Sequence, residues 1–221
     1  MARRSAKIAV DVAMGIVLVA LMTTALVQEA PHEWLGVALF VLVIVHVVLN
    51  RRWMAAVPRR RRDALSVLQS VVLAALGICV VGMAASGLVL SKHVFGFLPV
   101  LPGAAWARRV HMICSYWLFV LAFAHAGLHA RVPKGKTPEQ VWTARVVVAV
   151  VACYGIWSFV QLGLWSYLTG QVQFAYVDAT VPLALTAIRY ASVAMLVAIA
   201  LHGVRDGLMA ARRRRKGSRA L

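Results

Sequence analysis

The residues of this chain best suited to chemistry are its seven histidines, and four of them repeat a spacing. His32 and His46 stand fourteen positions apart, and so do His111 and His125. Fourteen residues of α-helix rise about 21 Å and end about 40° short of four full turns. Each pair therefore shares one helix face, its members separated by most of the thickness of a bilayer core. A neutral imidazole carries one nitrogen lone pair, so two imidazoles that face each other can hold one metal ion from opposite sides.

Such spacing matters only if the segments are helices, and the composition dictates that they are. The chain has 221 residues and is 62% hydrophobic. Apolar runs fall at about 8–27, 32–50, 65–91, 110–130, 146–168 and 183–208. Runs of roughly 20 apolar residues suit helices that cross a bilayer. Inside lipid every backbone polar group needs an internal partner, which leaves helices or closed barrels. The short alternating segments of a barrel are not visible. The start, with Arg3, Arg4 and Lys7, resembles a signal peptide. Its apolar run is too long and lacks a cleavage site, so it reads as a first helix. The expected fold is all-α, an integral membrane bundle of six helices. Residues 1–130 form a four-helix core, 131–211 add two helices, and 212–221 form a basic tail. The 92–109 connection, with Pro99, Pro102 and Gly103, reads as a loop.

The net charge of +17 follows the same alternation. Of 24 Lys and Arg residues, 20 lie before the first run, between the second and third, between the fourth and fifth, or from Arg205 at the end of the sixth onward. Lys92, Arg108, Arg109 and Arg189 alone fall on the other side. By the positive-inside rule both termini lie in the cytoplasm, as expected of a multi-pass protein of a bacterial inner membrane. Anionic lipid is the expected partner of this charge. Nucleic acid is not, because no recognition motif accompanies it.

Orientation then sorts the histidines by depth. The second and fourth runs both point inward, so His32 and His111 share the outer level and His46 and His125 the inner one. Two bis-imidazole pairs at two depths suit two b-type haems stacked across the membrane. One haem is the alternative count. Haem propionates are anionic and need cations near the interface. Arg108 and Arg109 adjoin His111, while Arg51, Arg52 and Arg131 follow the inner pair. Gly36 and Ser115, one turn from His32 and His111, are small enough for a flat macrocycle to approach. Gly77, Gly82 and Gly87 offer the same or ordinary close helix packing.

The remaining polar residues carry less. His129 is an alternative inner ligand, one turn past His125. His202 packs, or else lines an inner cavity or a quinone site, and His93 is solvated in the outer loop. Asp11 reads as the partner of Lys7, one turn away. Trp34, Trp53, Trp106 and Tyr190 read as interfacial anchors. Met14 and Met22 read as packing. Cys79, Cys114 and Cys153 lie singly in apolar runs, and no C-x-x-C-H motif signals attached c-type haem.

Three groups of residues together resemble a known family. The first is His32-Glu33-Trp34-Leu35-Gly36 with His46 and Leu49-Asn50-Arg51-Arg52-Trp53. The second is Ser86-Gly87 through Ser91, with Phe95 and Leu98-Pro99. The third is His111, Ser115-Tyr116-Trp117, His125 and Gly127-Leu128-His129. They resemble the flavinylation-associated cytochromes, bacterial membrane b-type cytochromes, over about residues 7–130. The resemblance implies electron relay between a quinone pool or another donor and extracytoplasmic flavoprotein partners. It is similar, more widely, to the diheme cytochrome b subunits of hydrogenases and formate dehydrogenases. No flavin-binding motif occurs in the chain, so a flavin would sit on the partner. Alternatives are a quinol-oxidising oxidoreductase subunit, and a transporter or channel with proton- or metal-binding histidines.

Overall fold

The structure, a computed structural model, describes residues 2–24, 28–57, 63–99, 102–130, 137–175, 178 and 180–217. Seven helices are described: α1 Ala2–Thr24, α2 Glu29–Ala56, α3 Ala64–Leu90, α4 Ala104–His129, α5 Pro138–Gln161, the short α6 Leu164–Leu168, and α7 Leu183–Gly217. All but α6 are long and apolar enough to cross a membrane. No strand occurs among the described residues. The protein is an all-α, six-span membrane bundle.

Local chemistry sets the helix ends. The Asp63 carboxylate accepts from the Ser66 N–H at 2.8 Å and caps α3. The Thr137 hydroxyl accepts from the Gln140 N–H, with Pro138 behind it at the first helical position, so α5 starts well before the apolar run at 146. That run does not stay one helix to 168. Gly163 adopts a left-handed φ of 58° and separates α5 from α6. At the other end of the sequence, α7 continues through the arginines to Gly217, so much of the basic tail is helical.

Packing follows an asymmetric plan. α3 runs along α4, while α4 and α5 both pack on α7. α1 lies against α2 and, less extensively, α7. Lipid offers no hydrophobic drive between helices, so small residues and hydrogen bonds take its place. At Gly127 there is no room for a side chain against the Ala198 backbone. Gly155 is equally tight against Ser192, and the Ser192 hydroxyl bonds that of Ser158 at 3.0 Å. Gly82 is a packing glycine too, because an added Cβ would stand 2.7 Å from the Cys114 sulfur.

The buried core joins α1, α4, α6 and α7 through Leu18, Met22, Phe119, Leu164 and Val193. Tyr116 stacks on Tyr167 at 4.2 Å. Tyr190 belongs to this core rather than to an interfacial belt, being 3% exposed and edge-on to Phe119. Trp34 and Trp106 are exposed, as anchors require. Arginines 59–62, Arg131, Lys134, Lys136 and residues 218–221 lie outside the described residues.

Candidate functional site

The fold brings the four equally spaced histidines together as two pairs. The ring centres of His32 and His111 lie 6.2 Å apart. Those of His46 and His125 lie 6.5 Å apart. α2 and α4 are therefore parallel, and their histidines match level for level. Two imidazoles that each bonded one shared metal ion through nitrogen, at about 2.0 Å, would stand roughly this far apart. Both levels sit at that separation.

The backbone leaves room for something between the rings. Among the described residues α1 packs extensively along α2, while α4 faces α2 with little close backbone approach. Gly36 stands one turn from His32, and no neighbouring atom lies within 4 Å of where its Cβ would be. Gly77 and Gly87 on α3 are similarly open. The Nδ1 atoms of His32 and His125 are buried without a hydrogen-bond partner among the described residues. A buried imidazole nitrogen left this way is costly unless a further group joins the site.

The other two histidines are oriented by neighbours. His46 Nδ1 lies 2.7 Å from Asp11 Oδ1. A carboxylate only accepts, so Nδ1 carries the hydrogen and Nε2 keeps its lone pair. Asp11 is thus not the partner of Lys7. The Lys7 ammonium reaches Asn50 Oδ1 at 2.7 Å, and the Asn50 amide donates to the His46 carbonyl at 2.9 Å. Helical spacing alone had suggested the Asp11–Lys7 pair, but both side chains turn across to α2. On the other level, Ser86 Oγ donates to the Gly82 carbonyl at 2.6 Å and faces His111 Nδ1 at 3.2 Å. With its hydrogen spent on α3, the hydroxyl accepts from Nδ1–H, and Nε2 of His111 is again the free nitrogen.

Around the pairs, the ends differ. Beside His32, the Glu33 carboxylate accepts from the Ser91 hydroxyl at 2.7 Å and from the Lys92, His93 and Val94 N–H groups at 2.8, 3.0 and 2.9 Å. It clamps the α3–α4 loop onto α2. Glu29 pairs with Lys92 at 2.9 Å and lies 3.7 Å from His93, so His93 belongs to this clamp. Arg108 and Arg109 are exposed at the start of α4, and Arg108 lies over the Phe174 ring at 5.0 Å. Ser115 turns back to the Met112 carbonyl. At the opposite end, His129 donates to the His125 carbonyl at 3.0 Å and packs edge-on to Trp53 at 5.2 Å. Its ring adjoins His125 at 4.5 Å. His202 lies 3.6 Å from Asp206 on its own helix, beside Arg205, which holds the Ala130 carbonyl.

No group of three or more His, Cys, Asp or Glu side chains fit for a metal ion occurs among the described residues. A bare ion at either histidine pair would lack ligands, whereas a porphyrin brings four nitrogens of its own and needs two axial ones. The chain matches the prokaryotic cytochrome b561 family over residues 6–144, more than half its length. It belongs to that family. No curated protein and no solved structure matches it significantly. The cytochrome is therefore a multi-pass bacterial membrane protein that binds b-type haem and serves transmembrane electron transfer. The matched region includes α1 from residue 6 onward and all of α2 to α4, the helices that carry or orient the four paired histidines.

Sequence reasoning missed two contacts of this site, Asp11 with His46 and Ser86 with His111. For Asp11 a signal existed, since an acid within an apolar run is rare and functional by default. Ser86 stood out only within the Ser86-Gly87 motif of the family resemblance, because a serine in a membrane helix normally bonds its own preceding turn.

Proposed function

We propose that the cytochrome holds two b-type haems between α2 and α4, one ligated by His32 and His111 and the other by His46 and His125. The observation that carries this reading is the pair of ring separations, 6.2 and 6.5 Å, at two levels of the same two helices. Haem supplies a one-electron iron couple whose potential responds to axial ligands, burial and nearby charge. The chain would supply position: α2 and α4 would hold the ligating nitrogens of the four histidines, and Gly36 leaves the face beside His32 clear. Arg108 and Arg109 stand where anionic propionates at the His32–His111 level would meet cations.

The distribution of basic residues supports both termini in the cytoplasm, with the His46–His125 level innermost. Electrons would then pass between an inner donor or the quinone pool and an acceptor outside. The resemblance to flavinylation-associated cytochromes supports a flavoprotein as that extracytoplasmic partner. The test is a reduced-minus-oxidised spectrum with a pyridine haemochrome count on the detergent-purified protein. Two haems b per chain are expected, falling to one in His46→Ala and in His125→Ala. Two haems retained in both variants would reject the ligand assignment.

A further inference from the structure

Asp11 is the acidic residue of α1, the tenth residue of that helix and inside an apolar stretch of mean hydropathy 2.0. A carboxylate at such a place is expensive, so its position calls for a compensating interaction. Lys7, the nearest cation in sequence, is engaged by Asn50. The partner Asp11 does have is His46, at 2.7 Å, a distance typical of a charge-assisted hydrogen bond. The four paired histidines thus have unequal surroundings. His46 faces a carboxylate, His111 a neutral hydroxyl, and the Nδ1 atoms of His32 and His125 face no acceptor among the described residues.

We propose that Asp11 is a positioning residue that holds His46 in the ligating tautomer and lowers the potential of the iron at the His46–His125 level. This inference rests on the ligand assignment above. The physical chain is short. A carboxylate that accepts the Nδ1 hydrogen draws that proton partly toward itself, which makes Nε2 a stronger donor. A stronger donor, with a negative charge close by, favours ferric over ferrous iron. Reduction at that level becomes harder, while the other level, backed by a neutral hydroxyl, has the effect only more weakly. The same contact ties α1 to α2 at the depth of the inner ligand, beside the second tie from Lys7 through Asn50 to the His46 carbonyl.

The experiment is a potentiometric titration of the purified, haem-loaded protein, with ferric low-spin resonance spectra recorded alongside, for wild type, Asp11→Asn, Asp11→Glu and His46→Ala. Asn keeps the shape and the acceptor oxygen but removes the charge. The expected result is that one of two haem transitions rises in Asp11→Asn by about tenfold in the ferrous-to-ferric ratio, ~59 mV for a one-electron couple. The other transition stays in place, and Asp11→Glu restores part of the shift. The transition that moves should be the one missing from His46→Ala. If both potentials stay put in Asp11→Asn while His46→Ala loses a haem, the carboxylate does not tune the iron and the inference fails alone. A partial loss of haem in Asp11→Asn, with the His46-level transition of the molecules that keep that haem unshifted, would make Asp11 a structural tie only, which also overturns the tuning role. Should Asp11→Asn fail to assemble, a wild-type-like potential and spectrum in Asp11→Ser, which removes the contact with a smaller side chain, would count against the proposal equally. If His46→Ala keeps both haems, the ligand assignment itself is what falls.

Discussion

The two histidine levels are alike in residue type, spacing and ring separation, yet they are built from different parts of the molecule. At the His46–His125 level, the second contact comes from α1, as a charge. At the His32–His111 level it comes from α3, as a hydroxyl whose own hydrogen is committed to the Gly82 carbonyl. The ends differ as well. Glu33 ties a polar loop down beside His32, whereas Trp53 and His129 pack rings against His125. Were the two pairs to hold two haems as proposed, these unequal surroundings would set their potentials apart.

The largest expected effect separates the levels outright. His111→Ala should remove one haem per chain and leave the spectral transition that His46→Ala removes. Pyridine haemochrome counts on the two variants and their double mutant check this, and the same transition lost in both single variants would break the two-level picture. Next in size is Gly36→Leu, which places a side chain in the clear space one turn from His32. Haem content should fall toward one per chain, with the loss confined to the transition absent from His111→Ala. Full occupancy with unshifted spectra would mean that the space beside Gly36 is not used.

Smaller again is Ser86→Ala. A neutral hydrogen bond is worth roughly half a charge-assisted one. The potential at the His111 level should therefore rise by about half the shift expected for Asp11→Asn, as read by the same titration. An equal or larger shift would reverse the ranking of the two surroundings.

The smallest effect lies outside both sites. Asp63 caps α3 and meets Arg212 of α7 at 2.7 Å. Its Ser66 hydrogen bonds, first, and then the Arg212 guanidinium hold the carboxyl below its ordinary value. A carboxyl depressed on folding stabilises fully above its unfolded-state value, and that contribution fades as pH falls through the lower folded-state value. Asp63→Ala should cost about 1 kcal/mol at neutral pH, as lost helix caps do. Thermal unfolding of the detergent-solubilised protein at pH 7 and near pH 3 checks this, the gap between variant and parent narrowing at the lower pH. Haem potentials should not move.

Much of this architecture was written along the chain. Backbone groups in lipid must bond within their own segment, so the apolar runs had to be helices, and their number and order followed. A helix has a fixed rise and twist, so fourteen-residue spacing placed His32 with His46 and His111 with His125 on single faces before any fold was known. The break at Gly163 and the early start of α5 were less legible, because a left-handed glycine and a Thr-Pro cap are short-range signals inside long apolar or polar stretches.

What the tertiary structure decided is the set of contacts between helices. Which face of α1 turns to α2 is a matter of packing, and packing turned Asp11 away from Lys7 and onto His46. Only the meeting of α3 with α4 gives the Ser86 hydroxyl a second neighbour in His111, and only the stand-off of α4 from α2 keeps the two ring pairs 6.2 and 6.5 Å apart. Such relations join residues far apart in the chain, and no periodicity along one helix encodes which neighbour that helix will meet.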